Sequence, residues 1–344
     1  MIPMPRLFGA AVLQAESRVR AADFVVEEIP SFEASGDGEH LLLTIRKRNR
    51  TTAEVVTALQ RWADVGHAAI GYAGLKDRHG ITTQRFTVQL PGREAPAFDL
   101  LRDEQLEILD HARHRRKLPK GASFGNAFAL RLRNVEGDRA AIEQRLAQIR
   151  EQGIANAFGE QRFGRGDNIA MALSMFAGNK IPRGMRSILL SSARAAIFNA
   201  QLARRIAMHR VFSITAGDVL MLAGSRSIFG PVTGDAELTQ RLQDHDVTLT
   251  APLWGRGELR TDGEIREMEL AVVEEDAQLR TLAKGLRRAG LEQERRAVTV
   301  MPSALQWNWP DEHTLELQFC LPPGSYATAL LHELGEMTDR STQR

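Results

Sequence analysis

The feature that most constrains this chain is a change of texture along it: strand-rich, then helix-rich, then strand-rich again. Residues 24–29 and 40–48 read as strands, the second apolar at its start and basic at its end. Thr51-Thr-Ala-Glu54 is a capping-box pattern, in which a hydroxyl and a carboxylate satisfy each other's orphan amides. It predicts a helix to about residue 65, with Val55, Val56, Leu59 and Trp62 on one face. Strands are predicted at 69–73, 83–90 and 105–112. Over 126–134, Phe128, Leu130 and Leu132 face one side and Arg131 and Arg133 the other. After Gly137 helices dominate: 138–151, 168–177 and 187–209, then a mixed region over 217–254 and a charged helical region over 262–294. Strands return at 298–301, 304–309 and 313–321, and a helix over 325–336 closes the chain. This order predicts a helical domain inserted into a mixed-sheet domain whose two ends fold together, an arrangement tolerated at surface loops with close ends.

The length of 344 residues allows about two domains. With 43% hydrophobic and 26% charged residues, the composition excludes a disordered chain, a collagen or a coiled-coil rod. No apolar run approaches the roughly 20 residues that span a bilayer, and residues 1–14 carry no convincing signal peptide. One cysteine, Cys320, excludes an internal disulfide and a multi-cysteine zinc site, so a cytoplasmic location is expected. The net charge is only +2, but the basic residues are nearly all Arg, with six Lys. Arg is suited to phosphate forks and to stacking on bases, although a GC-rich genome gives the same bias.

Four segments carry candidate chemistry. In Gly74-Leu-Lys-Asp-Arg-His-Gly80, Asp77 lies in a glycine-bounded turn between two strands, flanked by Lys76, Arg78 and His79. A carboxylate among cations is favoured in its ionised form, which suits a nucleophile or base acting without a metal. Asp is also an ordinary turn residue. His111-Ala-Arg-His-Arg-Arg-Lys117 with Lys120 resembles a phosphate-binding strip, and Arg46-Lys-Arg-Asn-Arg50 and Arg131/Arg133 add two further clusters. The alternative is a charged, protected edge strand. Asn156-Ala-Phe-Gly-Glu-Gln-Arg-Phe-Gly164 is a constrained loop whose Phe158 and Phe163 read first as core anchors. In Gly125-Asn-Ala-Phe128, Asn126 is either a turn residue or a group that reads a base edge. A P-loop, His-Glu-x-x-His, Cys-x-x-Cys, Gly-x-Ser-x-Gly and the full dinucleotide fingerprint are all absent. Asp99, Asp103 and Asp110 are too irregularly spaced for a metal-dependent nuclease.

In order and spacing, Ala73-Gly-Leu-Lys-Asp-Arg-His79, Gly125-Asn-Ala-Phe128, Asn156-Ala-Phe-Gly-Glu-Gln-Arg-Phe-Gly164 and Leu321-Pro-Pro-Gly-Ser-Tyr-Ala327 resemble the motifs of the TruD family of tRNA pseudouridine synthases, over residues 23–334. The resemblance implies an α+β fold: a pseudouridine synthase catalytic domain with a mixed/antiparallel sheet (1–151 plus 303–344) and an inserted α/β TruD-specific domain (152–302). It implies isomerisation of uridine 13 of tRNA, with no metal or organic cofactor, by a monomer with no membrane and no obligate protein partner. The catalytic aspartate falls on Asp77. Substrate-contacting positions fall on Phe24, lining the pocket; Asn126, holding a polar edge; and Tyr326, stacking on the uracil. Phe128 is placed beneath the Asp77 loop. Arg18, or else Lys76, is the cation paired with the aspartate. Tyr326 and Arg18 stand where a family member has Phe and Lys. The rival reading is a non-catalytic RNA-binding or RNA-folding protein on the same scaffold, which basic strips and aromatics support equally well.

Overall fold

The computed structural model describes residues 4–225 and 227–342. The chain divides into two compact units. A sheet unit comprises residues 11–150, 302–327 and 334–342; a helical unit comprises residues 4–10, 151–301 and 328–333.

The sheet unit begins with β1 (Leu13–Ser17), β2 (Phe24–Pro30), β3 (His40–Arg48) and helix α1 (Thr52–Ala63). It continues through β4 (Ile70–Tyr72), β5 (Ile81–Gln89), β6 (Leu106–His114), β7 (Ser123–Glu136) and α2 (Arg139–Gln152). The helical unit follows with β8 (Ile154–Ala155), α3 (Asp167–Phe176), α4 (Arg186–Ala207), β9 (Leu220–Leu222), β10 (Ile228–Phe229) and α5 (Ala236–Gln243). It closes with β11 (Val247–Leu253), α6 (Gly263–Glu275), α7 (Ala277–Arg288), β12 (Glu294–Ala297) and β13 (Thr299–Val300). The chain then forms β14 (Ser303–Asp311), β15 (Thr314–Leu321), α8 (Ala327–Leu334) and β16 (Gly335–Asp339).

In the sheet unit ten strands join in one sheet, ordered β14-β15-β7-β2-β5-β3-β6, with β1 bridging β7 to β16 and β4 added to β5. The pairs β2–β5 and β1–β16 are parallel and the others antiparallel, so the sheet is mixed. The inward residues of β3 and β5, including Leu41, Leu43, Ile45, Phe86 and Val88, close over Val55, Val56 and Leu59 of α1. Burial of each such side chain contributes about 2 kcal/mol. The predicted capping box forms: the Glu54 amide donates to Thr51 Oγ1 at 3.1 Å, and the Thr51 amide donates to Glu54 Oε2 at 2.7 Å.

In the helical unit α4 runs through the core, burying Leu189, Ile197, Phe198 and Leu202 against α3, α7 and β11. A two-stranded pair, β8–β13, and a four-stranded sheet, β10-β9-β11-β12, complete it.

Several elements depart from the sequence-based expectation. The charged region 262–294 breaks at Asp276, whose carboxylate accepts from the amides of Gln278 and Leu279 and so starts α7 as a new helix. The last helix stops at Leu334: Gly335 lies so close to the Leu13 main chain that a Cβ would overlap it, and the chain leaves as β16 beside β1. Neither β1 nor β16 was expected.

Candidate active site

Asp77 sits in the loop 73–80 between β4 and β5, in the sheet unit. The loop is held from several sides. Thr52, the first residue of α1, accepts the Lys76 amide at 2.9 Å and donates to Gln84 Oε1 on β5 at 2.9 Å. The Gln84 amide group in turn donates to the Gly74 carbonyl at 3.0 Å. Lys47 of β3 donates from Nζ to the Asp77 carbonyl at 2.7 Å. At the loop's exit Gly80 has φ +149°, and a Cβ there would stand 2.5 Å from the Phe24 carbonyl oxygen; only glycine fits.

The Asp77 carboxylate faces Arg18, which follows β1 at φ 55°, in the left-handed region. The guanidinium is shared: Nη2 reaches Asp77 Oδ2 at 3.4 Å and Nη1 reaches Asp339 Oδ2, at the end of β16, at 2.8 Å. The Arg18 side chain is 6% exposed, whereas Asp77 is 36% and Asp339 40% exposed. Arg18 also lies 3.9 Å from the centroid of the Phe24 ring, a cation–π contact. A buried cation thus stands on an aromatic floor beneath two carboxylates that reach solvent. Burial raises the pKa of Asp339, but hydrogen bonds from Ser341 and the charge and hydrogen bond of Arg18 outweigh it and hold that carboxyl below its ordinary value.

Lys76 points elsewhere. Its ammonium meets Glu28 at 2.8 Å, with the two side chains 8% and 2% exposed. Glu28 also accepts the Arg85 amide at 3.1 Å. Arg78 pairs with Glu54 at 3.0 Å, and His79 is exposed. The cations that flank Asp77 in sequence are therefore not its partners; a loop points successive side chains in different directions, and the cation comes from 59 residues upstream.

Glu28 and Asn126 are opposite one another on β2 and β7, and Leu321 of β15 is opposite Asn126 on the other side. Asn126 Oδ1 is buried and has no hydrogen-bond partner among the described residues. Phe128 pairs in register with Val26 and stacks on Phe319 at 5.1 Å, one strand removed from the end of the Asp77 loop. It is 8% exposed and packs as a core ring. Phe24 is 2% exposed, covered by Arg18 rather than open. Tyr326 is half-buried, immediately before α8.

The basic clusters are largely occupied. Arg131 pairs with Glu316 at 2.9 Å and Arg133 with Asp23 at 2.7 Å. Arg113 donates to the Arg93 carbonyl at 2.5 Å, Arg115 to Asp37 at 2.8 Å and Lys117 to the Ala68 carbonyl at 2.6 Å. Arg116 and Lys120 are exposed. The 156–164 motif lies in the helical unit and works as an anchor: the Phe158 amide and carbonyl both bond the Asn199 side chain, at 2.9 and 2.8 Å, and Arg296 stacks on the Phe158 ring at 4.3 Å. Among the described residues no three His, Cys, Asp or Glu side chains gather as a metal site, and no helix is long and apolar enough to cross a membrane.

Sequence reasoning singled out neither Asp339 nor Lys47. Asp339 lies in a strand read as beyond a helix. Lys47 was grouped with a surface cluster, although the alternation Leu43, Ile45, Lys47 on β3 turns it inward.

Comparison with known proteins accords with this fold and identifies the family. The family profile described as "TruD: tRNA pseudouridine synthase D (TruD)" matches residues 11–173 and 167–334. The chain is 49% identical over 350 residues to the tRNA pseudouridine synthase D of Xanthomonas campestris pv. campestris, covering 98% of this chain and 95% of that protein. It is 42% identical over 330 residues to the protein of that name from Aeromonas hydrophila, covering 95% and 92%. The crystal structure of a Methanosarcina mazei protein assigned to tRNA pseudouridine synthase D superposes with a TM-score of 0.71 at 20% identity, covering 96% of this chain and 95% of that one. That likeness shows the fold, α+β with mixed sheets, and the sequence matches show the lineage: the chain belongs to the TruD family, tRNA pseudouridine synthase D.

Proposed function

We propose that this protein is a tRNA pseudouridine synthase that isomerises uridine 13 of tRNA, with Asp77 as its catalytic carboxylate. The observation that carries the reading is the Asp77 carboxylate, open to solvent on one side and held on the other by the buried guanidinium of Arg18. In this reading residues 1–151 plus 303–344 make up the pseudouridine synthase catalytic domain, most of which lies in the sheet unit, and 152–302 is the TruD-specific insertion. The protein acts as a cytoplasmic monomer and needs no metal or organic cofactor.

The reaction breaks the N1–C1′ bond, turns the uracil and joins C5 to C1′; the C5 proton is lost and N1 gains one. Asp77 either attacks C1′, with uracil leaving as its anion, or removes the C2′ proton to give a glycal. In both routes the uridine leaves the helix stack, at a cost of a few kcal/mol offset by contacts in the pocket. Arg18 fixes the direction of the Asp77 carboxylate. Asn126 Oδ1, a buried acceptor without a partner among the described residues, suits the N3–H of the base. Tyr326 supplies a ring for stacking, with a hydroxyl that needs its own hydrogen bond. Phe24 supports the pocket from beneath Arg18.

The test uses wild type and Asp77→Asn with unmodified tRNA in EDTA, mapping pseudouridine by carbodiimide block and primer extension. A stop reporting position 13 with wild type alone supports the reading. No stop with either protein, both still binding tRNA at low salt, overturns it in favour of an RNA-binding protein.

A further inference from the structure

Lys47 is the least expected charge in the sheet unit. It lies on β3 between β5 and β6 and is 1% exposed. Among the described residues it forms no ion pair. Its ammonium donates to two main-chain carbonyls, that of Arg50 at 2.5 Å and that of Asp77 at 2.7 Å. Arg50 directly precedes Thr51, the N-cap of α1. Lys47 therefore joins the start of α1 to the loop that carries Asp77.

An aliphatic side chain would fill this inward place on β3 with no desolvation of a charge. A buried ammonium with only carbonyl partners is a poor choice for stability alone, since burial penalises the charge and, among the described residues, no carboxylate pairs with it directly. What the lysine provides that an aliphatic residue does not is a charge-assisted hydrogen bond to the backbone of one particular residue. With the Asp77 carbonyl fixed from below, the Thr52 hydroxyl on the amide of the preceding residue, Lys76, and Arg18 on the carboxylate, Asp77 has little freedom to turn from its bearing.

We propose that Lys47 is a positioning residue for the reaction: its ammonium fixes the backbone of Asp77 so that the carboxylate stays on Arg18 and meets the ribose. This rests on the reading of Asp77 as the catalytic carboxylate.

The groups that face Lys47 are Asp77 and Lys76 from the loop and Glu54 from α1; its register partners Thr82 on β5 and Leu106 on β6 carry no charge. Burial dominates among these influences and lowers the lysine from 10.5 to about 8. Turnover should therefore have an alkaline limb near that value. Stability moves the other way. Between about 8 and 10.5 the unfolded chain holds a proton that native Lys47 has lost, so this group's contribution to stability rises with pH. A lysine acting only as a structural prop gives no such opposition between turnover and stability.

The experiment follows release of tritium from C5-tritiated uridine in unmodified tRNA, in EDTA, over roughly pH 6 to 9.5. It compares wild type, Asp77→Asn, Lys47→Met and Lys47→Arg, with melting temperatures and tRNA affinity measured in parallel. The proposal expects kcat of wild type to fall with a midpoint of about 8 while tRNA affinity stays level. Lys47→Met should lose about tenfold or more in kcat with KM within about twofold, and should lack the alkaline limb. Lys47→Arg, charged throughout, should recover part of the rate, also without the limb. As pH rises, the difference in melting temperature should move in favour of wild type over Lys47→Met.

Normal kcat in a folded Lys47→Met, or an alkaline limb that survives in it, overturns the proposal. If Lys47→Met does not fold, wild type decides: a level kcat from roughly pH 7 to 9 overturns it, and a limb that Lys47→Arg removes supports it. Asp77→Asn separates the two levels of argument. If it is inactive while Lys47→Met is normal, only the positioning role fails; if it turns over like wild type, the catalytic reading fails and the positioning role with it.

Discussion

Arg18 is one guanidinium serving two carboxylates, and its longer contact is the one to Asp77. Asp339 therefore sets where Arg18 stands, although it is one strand end removed from the loop. On the proposed reading of Asp77, Asp339→Asn should lower kcat about tenfold, roughly 1.4 kcal/mol, and leave KM for tRNA nearly unchanged, because the lost charge orients the cation that holds the catalytic carboxylate. Steady-state kinetics on the folded variant checks it. The same carboxyl carries acid sensitivity. Its native pKa lies below the ordinary 3.8, so its contribution to stability is complete above that value and disappears as pH falls through the lower native one. The acid-unfolding curve of Asp339→Asn should be shallower than that of wild type on this account. Very little of this was legible in the sequence. Asp77 announced itself through its glycine-bounded loop, but no local pattern marked its partner: the flanking Lys76 and Arg78 answer to Glu28 and Glu54, while Arg18, singled out only by the family resemblance and beside Lys76 as an alternative, lies 59 residues away.

Among elements, α1 and the Asp77 loop hold each other. The capping box of α1 was readable because its members lie three residues apart, and its Glu54 also takes Arg78 from the loop. The neighbouring Thr52 works over a longer range. Its hydroxyl accepts from Lys76 and donates to Gln84, contacts 24 and 32 residues apart in sequence that no local pattern displays. Thr52→Val keeps the shape but takes the partner from the part-buried Lys76 amide and from the buried side-chain carbonyl oxygen of Gln84. The expected cost is about 2 kcal/mol, measured as a shift in the urea midpoint at constant slope. Turnover should fall further than the unfolded fraction explains, since the loop loses its middle tie. Glu54→Ala, which removes the carboxylate half of the box, should cost about 1 kcal/mol by the same measurement. The strands around this loop followed from alternation and Pro-Gly punctuation. The parallel pair β1–β16 did not, because five-residue strands of mixed character become strands only when a distant partner is present.

At the scale of the whole molecule, the change of texture foreshadowed two units, yet the chain passes between them more often than one insertion requires: residues 4–10 and 328–333 belong with the helical unit. Composition gave no sign of this, because those segments are short and their ties are tertiary, such as the Leu7 amide on the Glu333 carboxylate at 2.9 Å. Nor did periodicity show what lies inside the helical unit. Arg205 and Asp218, both fully buried, pair at 2.6 Å, and Arg295 pairs with the buried Glu269 at 2.6 Å. Thr261 donates to Glu269 at 2.7 Å. Such pairs are weak stabilisers as pairs, but removing one member leaves a charge alone in a medium that cannot solvate it. Asp218→Asn takes the close partner from the Arg205 guanidinium, leaving it only the Glu269 carboxylate at 4.0 Å, and should cost about 3 kcal/mol. None of the four charged groups belongs to the sheet unit. Amide exchange should therefore quicken roughly a hundredfold in the protected parts of α4, α6 and β11 and stay unchanged in β3, β5 and β7. Equal acceleration across all of these elements would mean that the two units open as one; acceleration confined to the helical unit would mean that the insertion carries its own stability, and that the sheet bearing Asp77 keeps its structure while the helical unit opens.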